Sequence, residues 1–246
     1  MKRRYRVWAL VAAGVVLLAL LGSRLWLGWY MRASANPEFF EDEIADFAAA
    51  DRDHPPPERP IVFVGSSSVR LWKTLQADMA PLPVLNRGFG GAQMSHVVYF
   101  ADRAVIQYRP RAVVVYAGDN DLDQRTGKSA DDVVRDFRTF VARVQAAVPD
   151  TRIYYISIKP SRLRWGEWPE QQKANMQISA LCAADPHLGY IDIATPMLAV
   201  GKPPPRDLFR LDGLHLSKKG YALWTGIIKP RLQVDFQGTI PSHPLH

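Results

Sequence analysis

Three consecutive serines, Ser66, Ser67 and Ser68, stand where an apolar run ends and a mixed apolar and polar segment begins. The run 61–64 predicts a short buried strand that Gly65 ends, and the residues after the serines predict a helix. Serine often begins a helix, so this junction alone favours a structural role. The same place also suits a nucleophile, because parallel sheets bind ligands beyond the carboxyl ends of their strands.

Three further segments carry glycines or polar side chains where a strand is predicted to end, or in the last loop. They are 86–93 ("NRGFGGAQ"), 116–123 ("YAGDNDLD") and 209–221 ("FRLDGLHLSKKGY"), the last holding Asp212 and His215 three residues apart. Each segment alone is typical of an ordinary turn, since Gly, Asn and Asp are common turn residues. Their shared position, at one predicted edge of a sheet, indicates a single functional site.

Serine, histidine and aspartate are the residue types of nucleophilic acyl transfer. A serine hydroxyl is a weak nucleophile until a base removes its proton, and an imidazole can do so near neutral pH. A carboxylate on the other ring nitrogen fixes the tautomer and stabilises the imidazolium. Asp212 and His215 can reach that arrangement if their loop bends suitably. A glycine such as Gly91 lets a backbone N–H approach a developing oxyanion without a Cβ in the way.

Strands and helices are predicted to alternate along the chain after residue 60. The predicted strands are 61–64, 84–88, 112–118, 152–158 and 189–193. The predicted helices are one that starts near the serines, then 92–108, 130–148, 168–184 and 217–232. This alternation predicts an α/β fold in which a five-stranded parallel sheet is covered by helices on both faces.

Four short blocks, in this order, resemble the SGNH hydrolases, also called the GDSL esterase/lipase family. The blocks are "VGSSS", "NRGFGG", "AGDND" and "DGLH", and the resemblance covers roughly residues 60–232. It implies a three-layer α/β/α, flavodoxin-like fold and a serine ester hydrolase. The family's first block usually reads Gly-Asp-Ser, whereas this chain has Gly65-Ser66-Ser67. Ser66 therefore stands at the position of a loop Asp outside the triad, and two adjacent serines remain candidates for attack.

Carried over by position, the resemblance implies a role for five residues. Ser67 is the nucleophile, His215 is the general base and then the general acid, and Asp212 orients His215. The oxyanion hole is formed by the backbone N–H groups of Ser67 and Gly91 and by the side-chain amide of Asn120. Within "NRGFGG" the matching donor is the final glycine.

The loop 159–170 ("KPSRLRWGEWPE") concentrates arginines and tryptophans after the fourth predicted strand. Such a loop suits a binding wall or a lid, with indole faces for a sugar or an acyl chain and guanidinium groups for an anion. A surface loop whose tryptophans pack on the domain is an equal alternative. The candidate substrate-binding residues are Arg162, Arg164, Trp165, Trp168 and Arg210.

The first 32 residues hold six basic residues and no acid, which accounts for most of the formal charge of +7. The rest of the chain is close to neutral, so nucleic-acid binding is not expected. Residues 7–31 are apolar except for Arg24 and are long enough to cross a bilayer. The sequence therefore predicts a cytoplasmic basic stub and a transmembrane signal anchor in 1–35, with the catalytic domain outside the cytoplasm, in the periplasm. A cleaved signal peptide ending at Ala33-Ser34-Ala35 is the alternative.

Beyond this anchor, three regions are predicted: a helix (37–50) and Pro-rich linker within 36–60, a hydrolase domain over 61–236, and a C-terminal tail over 237–246. The single cysteine, Cys182, excludes an intramolecular disulfide framework and a Cys-cluster zinc site. No metal or organic cofactor is expected.

The predicted function is an esterase that cleaves acyl or O-acetyl esters of small molecules or glycans. Three alternatives remain open: an acyltransferase or O-acetyl polysaccharide esterase of the cell envelope, an inactive binding module of the same fold, and a flavodoxin-like protein whose serine loop holds a cofactor phosphate. The sequence does not predict an oligomeric state.

Overall fold

The computed structural model describes residues 33–236 without a gap and, before them, only residues 8, 11, 14–19, 21, 22, 25, 28 and 29. Much of the predicted span 7–31 and the whole tail 237–246 lie outside the described residues. Among the residues that are described, no helix is both long enough and apolar enough to cross a bilayer. A first unit ends at Phe40, and the chain from Glu41 onward forms a second compact unit.

Five parallel strands form the sheet of the second unit. They are β1 (Ile61–Gly65), β2 (Val84–Gly88), β3 (Ala112–Tyr116), β4 (Arg152–Ile156) and β5 (Leu188–Ile191). Their order across the sheet is β2-β1-β3-β4-β5, so the chain reverses its direction of travel at β1. This is the flavodoxin-like order, which opens a crevice at the carboxyl ends of β1 and β3. The predicted α/β fold with five parallel strands is confirmed.

Helices connect and cover these strands. They are α1 (Glu41–Asp53), α2 (Ser67–Arg70), α3 (Leu75–Met79), α4 (Met94–Tyr99), α5 (Ala101–Ala104), α6 (Ala130–Ala147), α7 (Trp168–Ala183), α8 (Ala194–Ala199) and α9 (Lys218–Phe236). Short 3₁₀ helices span Pro37–Phe40, Ile106–Tyr108 and Arg206–Leu208.

The single helix predicted over 92–108 is wrong in detail, because the chain bends twice there. Phe100 and Val105 leave helical geometry, with ψ of 12° and φ of −136° respectively, and both are buried. The bends separate α4, α5 and the following 3₁₀ turn while these apolar side chains stay inside. The short helices α3 and α8 were not predicted, since five or six residues carry too little periodicity to be recognised.

Core side chains pack the segment that contains α2 and Trp72 against α9, the last helix. Every residue of β1 and β3 is buried. Beside them the Trp72 ring lies 5.2 Å from the Tyr221 ring and 6.0 Å from the Trp224 ring. The Tyr221 hydroxyl donates to the Ser68 carbonyl at 2.9 Å. Because α9 follows the loop of His215, this packing holds the serine turn and the histidine loop at a fixed separation.

Candidate active site

Ser67, His215 and Asp212 form a hydrogen-bonded chain at the carboxyl end of β1. The Ser67 Oγ lies 3.0 Å from the His215 Nε2, and the His215 Nδ1 lies 2.7 Å from the Asp212 Oδ2. Both distances are those of good hydrogen bonds. A hydroxyl, an imidazole and a carboxylate linked in this order have the geometry that can activate a serine for attack on a carbonyl.

The loop that carries the histidine is shaped by its own aspartate. The Asp212 Oδ1 accepts hydrogen bonds from the backbone N–H groups of Leu214 and His215, each at 2.9 Å. Gly213 has φ +67°, a left-handed conformation that suits glycine. The Arg210 N–H donates to the His215 carbonyl at 2.7 Å and closes the turn. One carboxylate therefore folds the loop with one oxygen and orients the imidazole with the other.

The protonation of Asp212 suits this role. Partial burial raises the pKa of its carboxyl group, but hydrogen bonds from the His215 ring and from the backbone of Leu214 and His215 more than offset that effect. The net shift of the Asp212 pKa is downward. The carboxylate is consequently ionised at neutral pH, where it can stabilise an imidazolium.

The serine turn depends on a glycine. Gly65 has φ +138°, and a Cβ at this position would lie 1.9 Å from the Tyr116 carbonyl oxygen of β3. The same oxygen accepts the backbone N–H of Ser66 at 2.9 Å. The chain turns sharply where these two backbones approach each other. Ser67, the residue after Ser66, then begins α2.

The two candidate serines differ in their surroundings. Ser66 is fully buried, and its hydroxyl makes no hydrogen bond that caps α2. It faces inward and donates to the Asp119 Oδ1 at 3.5 Å. Only Ser67 is within hydrogen-bonding distance of the His215 ring. The geometry therefore favours Ser67 as the nucleophile over Ser66.

A buried ion pair lies beneath the serine turn. The Lys159 Nζ is fully buried and donates to the Asp119 Oδ2 at 2.9 Å and to the Tyr116 hydroxyl at 3.0 Å. Burial raises the pKa of Asp119, but the charges of Lys159 and Arg164 more than offset that effect and lower the pKa to about 2. Ser66, which stands where the resemblance expects an acid, thus contacts an ionised carboxylate in the loop after β3.

Two loops supply the predicted oxyanion donors. The register places Gly65 opposite Gly88, so the loop after β2 starts beside the serine turn. Within it Gly91 has φ +80°, which a residue with a side chain adopts only with strain. Asn120 follows β3, and its Nδ2 donates to the Ala92 carbonyl at 3.0 Å. One hydrogen bond thus joins Asn120 to the residue that follows Gly91.

Arg164, predicted as a substrate-binding residue, is turned into the protein. It is 8 % exposed, and its Nη1 donates to the Asp119 carbonyl at 2.7 Å and to the Asn120 Oδ1 at 3.0 Å. The Nη2 donates to the same Oδ1 at 3.1 Å. Because the guanidinium of Arg164 is bound by the loop of Asn120, it does not offer a free charge to a substrate, contrary to the prediction. It holds that loop in place.

The other residues predicted to bind substrate separate into two groups. Arg162 and Trp165 line a cavity of about 380 Å³ together with Leu163, Leu211 and the triad aspartate. Trp168 and Arg210 are not among the residues lining it: Trp168 stands at the start of α7 on another groove, and the Arg210 Nε donates to the Leu216 carbonyl at 3.3 Å. Leu163 and Leu211 were not predicted to line this cavity, because exposed leucines in loops carry no sequence pattern.

Within the described part of the chain, no three His, Cys, Asp or Glu side chains are grouped as metal ligands.

Comparison with known proteins identifies the family. The family described as GDSL-like Lipase/Acylhydrolase matches residues 60–223, about two thirds of the chain. The chain belongs to this family. The matched segment includes all four blocks and every residue of the triad. The chain is therefore an ester hydrolase of the GDSL type, and the resemblance noted from the four blocks is confirmed.

Curated proteins resemble this chain in sequence, and solved structures resemble it in fold. The platelet-activating factor acetylhydrolase IB subunit alpha1 of Pongo abelii is 29 % identical over 189 residues, covering 72 % of this chain and 75 % of that protein. A GDSL-like lipase from Bacteroides thetaiotaomicron superposes with a TM-score of 0.65 at 20 % identity, covering 82 % of this chain and 99 % of that one. A carbohydrate esterase family 3 protein from Talaromyces cellulolyticus has a TM-score of 0.58 at 17 % identity, with coverages of 74 % and 100 %.

Proposed function

We propose that this GDSL hydrolase cleaves carboxylic esters through Ser67, His215 and Asp212. The observation that carries the proposal is the pair of distances at His215, 3.0 Å to the Ser67 Oγ and 2.7 Å to the Asp212 Oδ2. Two distant parts of the sequence meet here: the His215 ring can take the proton of the Ser67 hydroxyl, and the Asp212 carboxylate orients that ring. Activation of a serine by an imidazole needs this geometry, together with hydrogen-bond donors that stabilise the oxyanion.

The reaction proceeds in two halves. The Ser67 Oγ bonds to the ester carbonyl carbon while its proton moves to the His215 Nε2, and the carbonyl oxygen becomes an oxyanion. The C–O bond to the leaving alcohol then breaks, and the imidazolium returns its proton to that alcohol. Water, deprotonated by His215, attacks the acyl-enzyme; the carboxylic acid leaves and the Ser67 hydroxyl is restored.

We assign the oxyanion to three donors, the backbone N–H groups of Ser67 and Gly91 and the Nδ2 of Asn120. The left-handed backbone at Gly91 and the hold of Arg164 on the Asn120 Oδ1 support this assignment. Donors that are already oriented need no reorganisation when charge develops on the substrate.

The substrate class that we propose is an ester of a small molecule or a glycan with a short acyl group. Several relatives are named as acetylhydrolases, and one protein of the same fold is named as a carbohydrate esterase. The cavity beside Asp212 offers Trp165 and Leu211 for apolar contact and Arg162 at its wall.

We further propose that the enzyme is held at a membrane by residues 7–31, with its catalytic domain in the periplasm. The basic residues before this span and its apolar length support that orientation. A cysteine-reactive, membrane-impermeant reagent tests it on cells that express the full chain with Asp53→Cys. Labelling of intact cells supports the proposal, and labelling only after lysis contradicts it; the native chain, whose Cys182 is buried, is the control.

The catalytic proposal is tested with the full-length chain and p-nitrophenyl acetate. Ser67→Ala is expected to remove nearly all turnover, whereas Ser66→Ala, its matched neighbour, is expected to retain most of it. A fluorophosphonate should add to the native chain on the peptide that contains Ser67. Equal loss in both variants, or labelling that survives Ser67→Ala, would contradict the assignment of the nucleophile.

A further inference from the structure

Glu43, on the helix that precedes the sheet, reaches the loop of the predicted oxyanion donor. Its Oε2 accepts the backbone N–H of Gly90 at 3.0 Å and the Nη1 of Arg70 at 3.2 Å. Gly90 directly precedes Gly91, and Arg70 ends the helix that Ser67 begins. One carboxylate oxygen therefore links α1 to the loop after β2 and to α2, the helix that Ser67 begins.

The surroundings of Gly90 show how closely this contact is built. Gly90 is buried, and a Cβ at this position would lie 2.5 Å from the Arg70 Cζ. The guanidinium of Arg70 thus lies directly against the glycine backbone, and Glu43 binds both. A shift of the peptide at Gly90 would break the hydrogen bond to Glu43 and push against Arg70.

The ion pair alone is a weak contact. The side chains of Arg70 and Glu43 are 43 % and 33 % exposed, and solvent-exposed pairs contribute little to stability. The hydrogen bond from the Gly90 N–H is also charge-assisted, and its donor is buried, so it is less screened by solvent than the pair with Arg70. The larger effect of Glu43 is therefore on the Gly90 amide, which it orients, and not on the stability of the fold.

Helix α1 has other attachments, so it stays in place without Glu43. The Arg103 Nη1 donates to the Glu41 Oε2 at 2.6 Å. Near its other end, Asp51 accepts hydrogen bonds from the Arg87 guanidinium and, at 2.6 Å, from the Tyr108 hydroxyl. Loss of the Glu43 carboxylate should leave α1 docked and release only the loop.

We propose that Glu43 is a positioning residue for the oxyanion hole: it holds the N–H of Gly90, the residue whose carbonyl forms the next peptide bond, with Gly91. Its carboxylate holds the Gly90 N–H, and the Arg70 guanidinium packs where a Cβ of Gly90 would lie, so that the next N–H, that of Gly91, keeps one direction. The catalytic consequence rests on the proposed function, whereas the structural hold on the loop does not. By this proposal α1 is part of the catalytic apparatus and not only a connection to the N-terminal segment.

The test compares Glu43→Ala and Glu43→Gln with Glu41→Ala, which removes an ion pair of the same helix away from the site. Amide hydrogen exchange of the full-length chain is measured on a peptide covering residues 88–92. Exchange there should be about tenfold faster in Glu43→Ala than in the native chain, and unchanged in Glu41→Ala. Glu43→Gln retains an acceptor oxygen and should be intermediate.

Kinetics with p-nitrophenyl acetate give the second measurement. In Glu43→Ala the kcat should fall about tenfold, less than on losing an oxyanion donor, while KM stays within about twofold. Glu43→Gln should recover part of the kcat, and Glu41→Ala should match the native chain. Unchanged exchange at 88–92 in Glu43→Ala overturns the proposal. Faster exchange in Glu43→Ala with an unchanged kcat overturns the catalytic part of the proposal. Faster exchange in Glu43→Ala, when the native chain itself shows no esterase activity, refutes the proposed function and leaves the structural hold on the loop standing.

Discussion

Arg164 donates two hydrogen bonds to one oxygen of Asn120, at 3.0 and 3.1 Å. This double contact fixes which end of the Asn120 amide is the oxygen, because a guanidinium has no acceptor. The Nδ2 is thereby turned to the Ala92 carbonyl and to the predicted oxyanion hole. Arg164, which is not one of the three proposed catalytic residues, thus fixes the orientation of the Asn120 amide, a proposed donor to the oxyanion.

Asn120→Ala is expected to lower kcat about 10²–10³-fold, since an oriented donor to the oxyanion is lost. Arg164→Met should lower kcat about tenfold to a hundredfold, because the amide of Asn120 can then rotate. The double variant should be no slower than Asn120→Ala, since both changes act through one group. Steady-state kinetics of the three variants check this. Effects that multiply in the double variant would show that Arg164 acts independently of Asn120.

The Asp119–Lys159 pair is expected to behave as one unit in stability. Asp119→Asn leaves a fully buried ammonium without its ionised partner, which should cost about 3–5 kcal/mol in the free energy of unfolding. Lys159→Met should also destabilise the fold, and the double variant should recover part of the loss. Urea unfolding at pH 7 measures the four proteins. Additive losses would contradict the coupling.

Ser66→Asp restores the acid that the family has at this position, yet it should destabilise this chain. The Ser66 Oγ lies 3.5 Å from the Asp119 Oδ1, so two carboxylates would meet in a buried site. Adding Asp119→Asn leaves a single carboxylate to face Lys159, and the double variant should be more stable than Ser66→Asp. Thermal unfolding of the single and double variants checks the order. A stable Ser66→Asp chain would mean that the cations there can neutralise two acids.

Asp121 should make the fold less stable as the pH rises. Burial raises the pKa of this carboxyl group to about 6, against the opposing effects of Lys128 and the Met94 N–H. A carboxyl group whose pKa is higher in the folded than in the unfolded chain stabilises the fold. This stabilisation is fully present at pH values below the pKa of the group in the unfolded chain, near 4. That contribution is lost as the pH rises through about 6.

Asp121→Asn removes this titration. The free energy of unfolding of the variant minus that of the native chain should rise by up to about 3 kcal/mol from pH 4 to pH 7.5, because only the native chain loses stability there. Urea unfolding at the two pH values measures the change. A difference that does not vary with pH would place the titration elsewhere.

Leu211 is expected to influence the preference for acyl chain length. It is 99 % exposed, precedes Asp212 directly and lines the cavity that Trp165 also lines. Leu211→Ser should raise KM for p-nitrophenyl butanoate about threefold to tenfold and change KM for the acetate little, because only the longer chain gains apolar contact. Val200→Ser, an exposed apolar residue that is not among those lining the cavity, is the control. Equal changes for both esters would argue against binding of the acyl chain here.

The residues that we propose as a triad could be chosen from the sequence, because the serine follows a predicted strand and Asp212 and His215 lie together in the last loop. The five strands were likewise predicted from short apolar runs between turn residues. Glu43 was missed, since a glutamate in an acidic helix is typical of a solvated face. Arg164 was singled out, but its direction depends on packing against the loop of Asn120. The Asp119–Lys159 pair joins residues 40 positions apart, and no local pattern reports such a contact.

Ser67 and His215, which we propose as the nucleophile and its base, lie 148 residues apart in the sequence. A chain synthesised from its amino end therefore contains the serine long before it contains the histidine. Until the histidine loop has emerged and α9 packs against Trp72, the growing polypeptide lacks the imidazole that we propose activates Ser67. We therefore expect esterase activity to arise only once the last helix has been made, and a product truncated before His215 to have none.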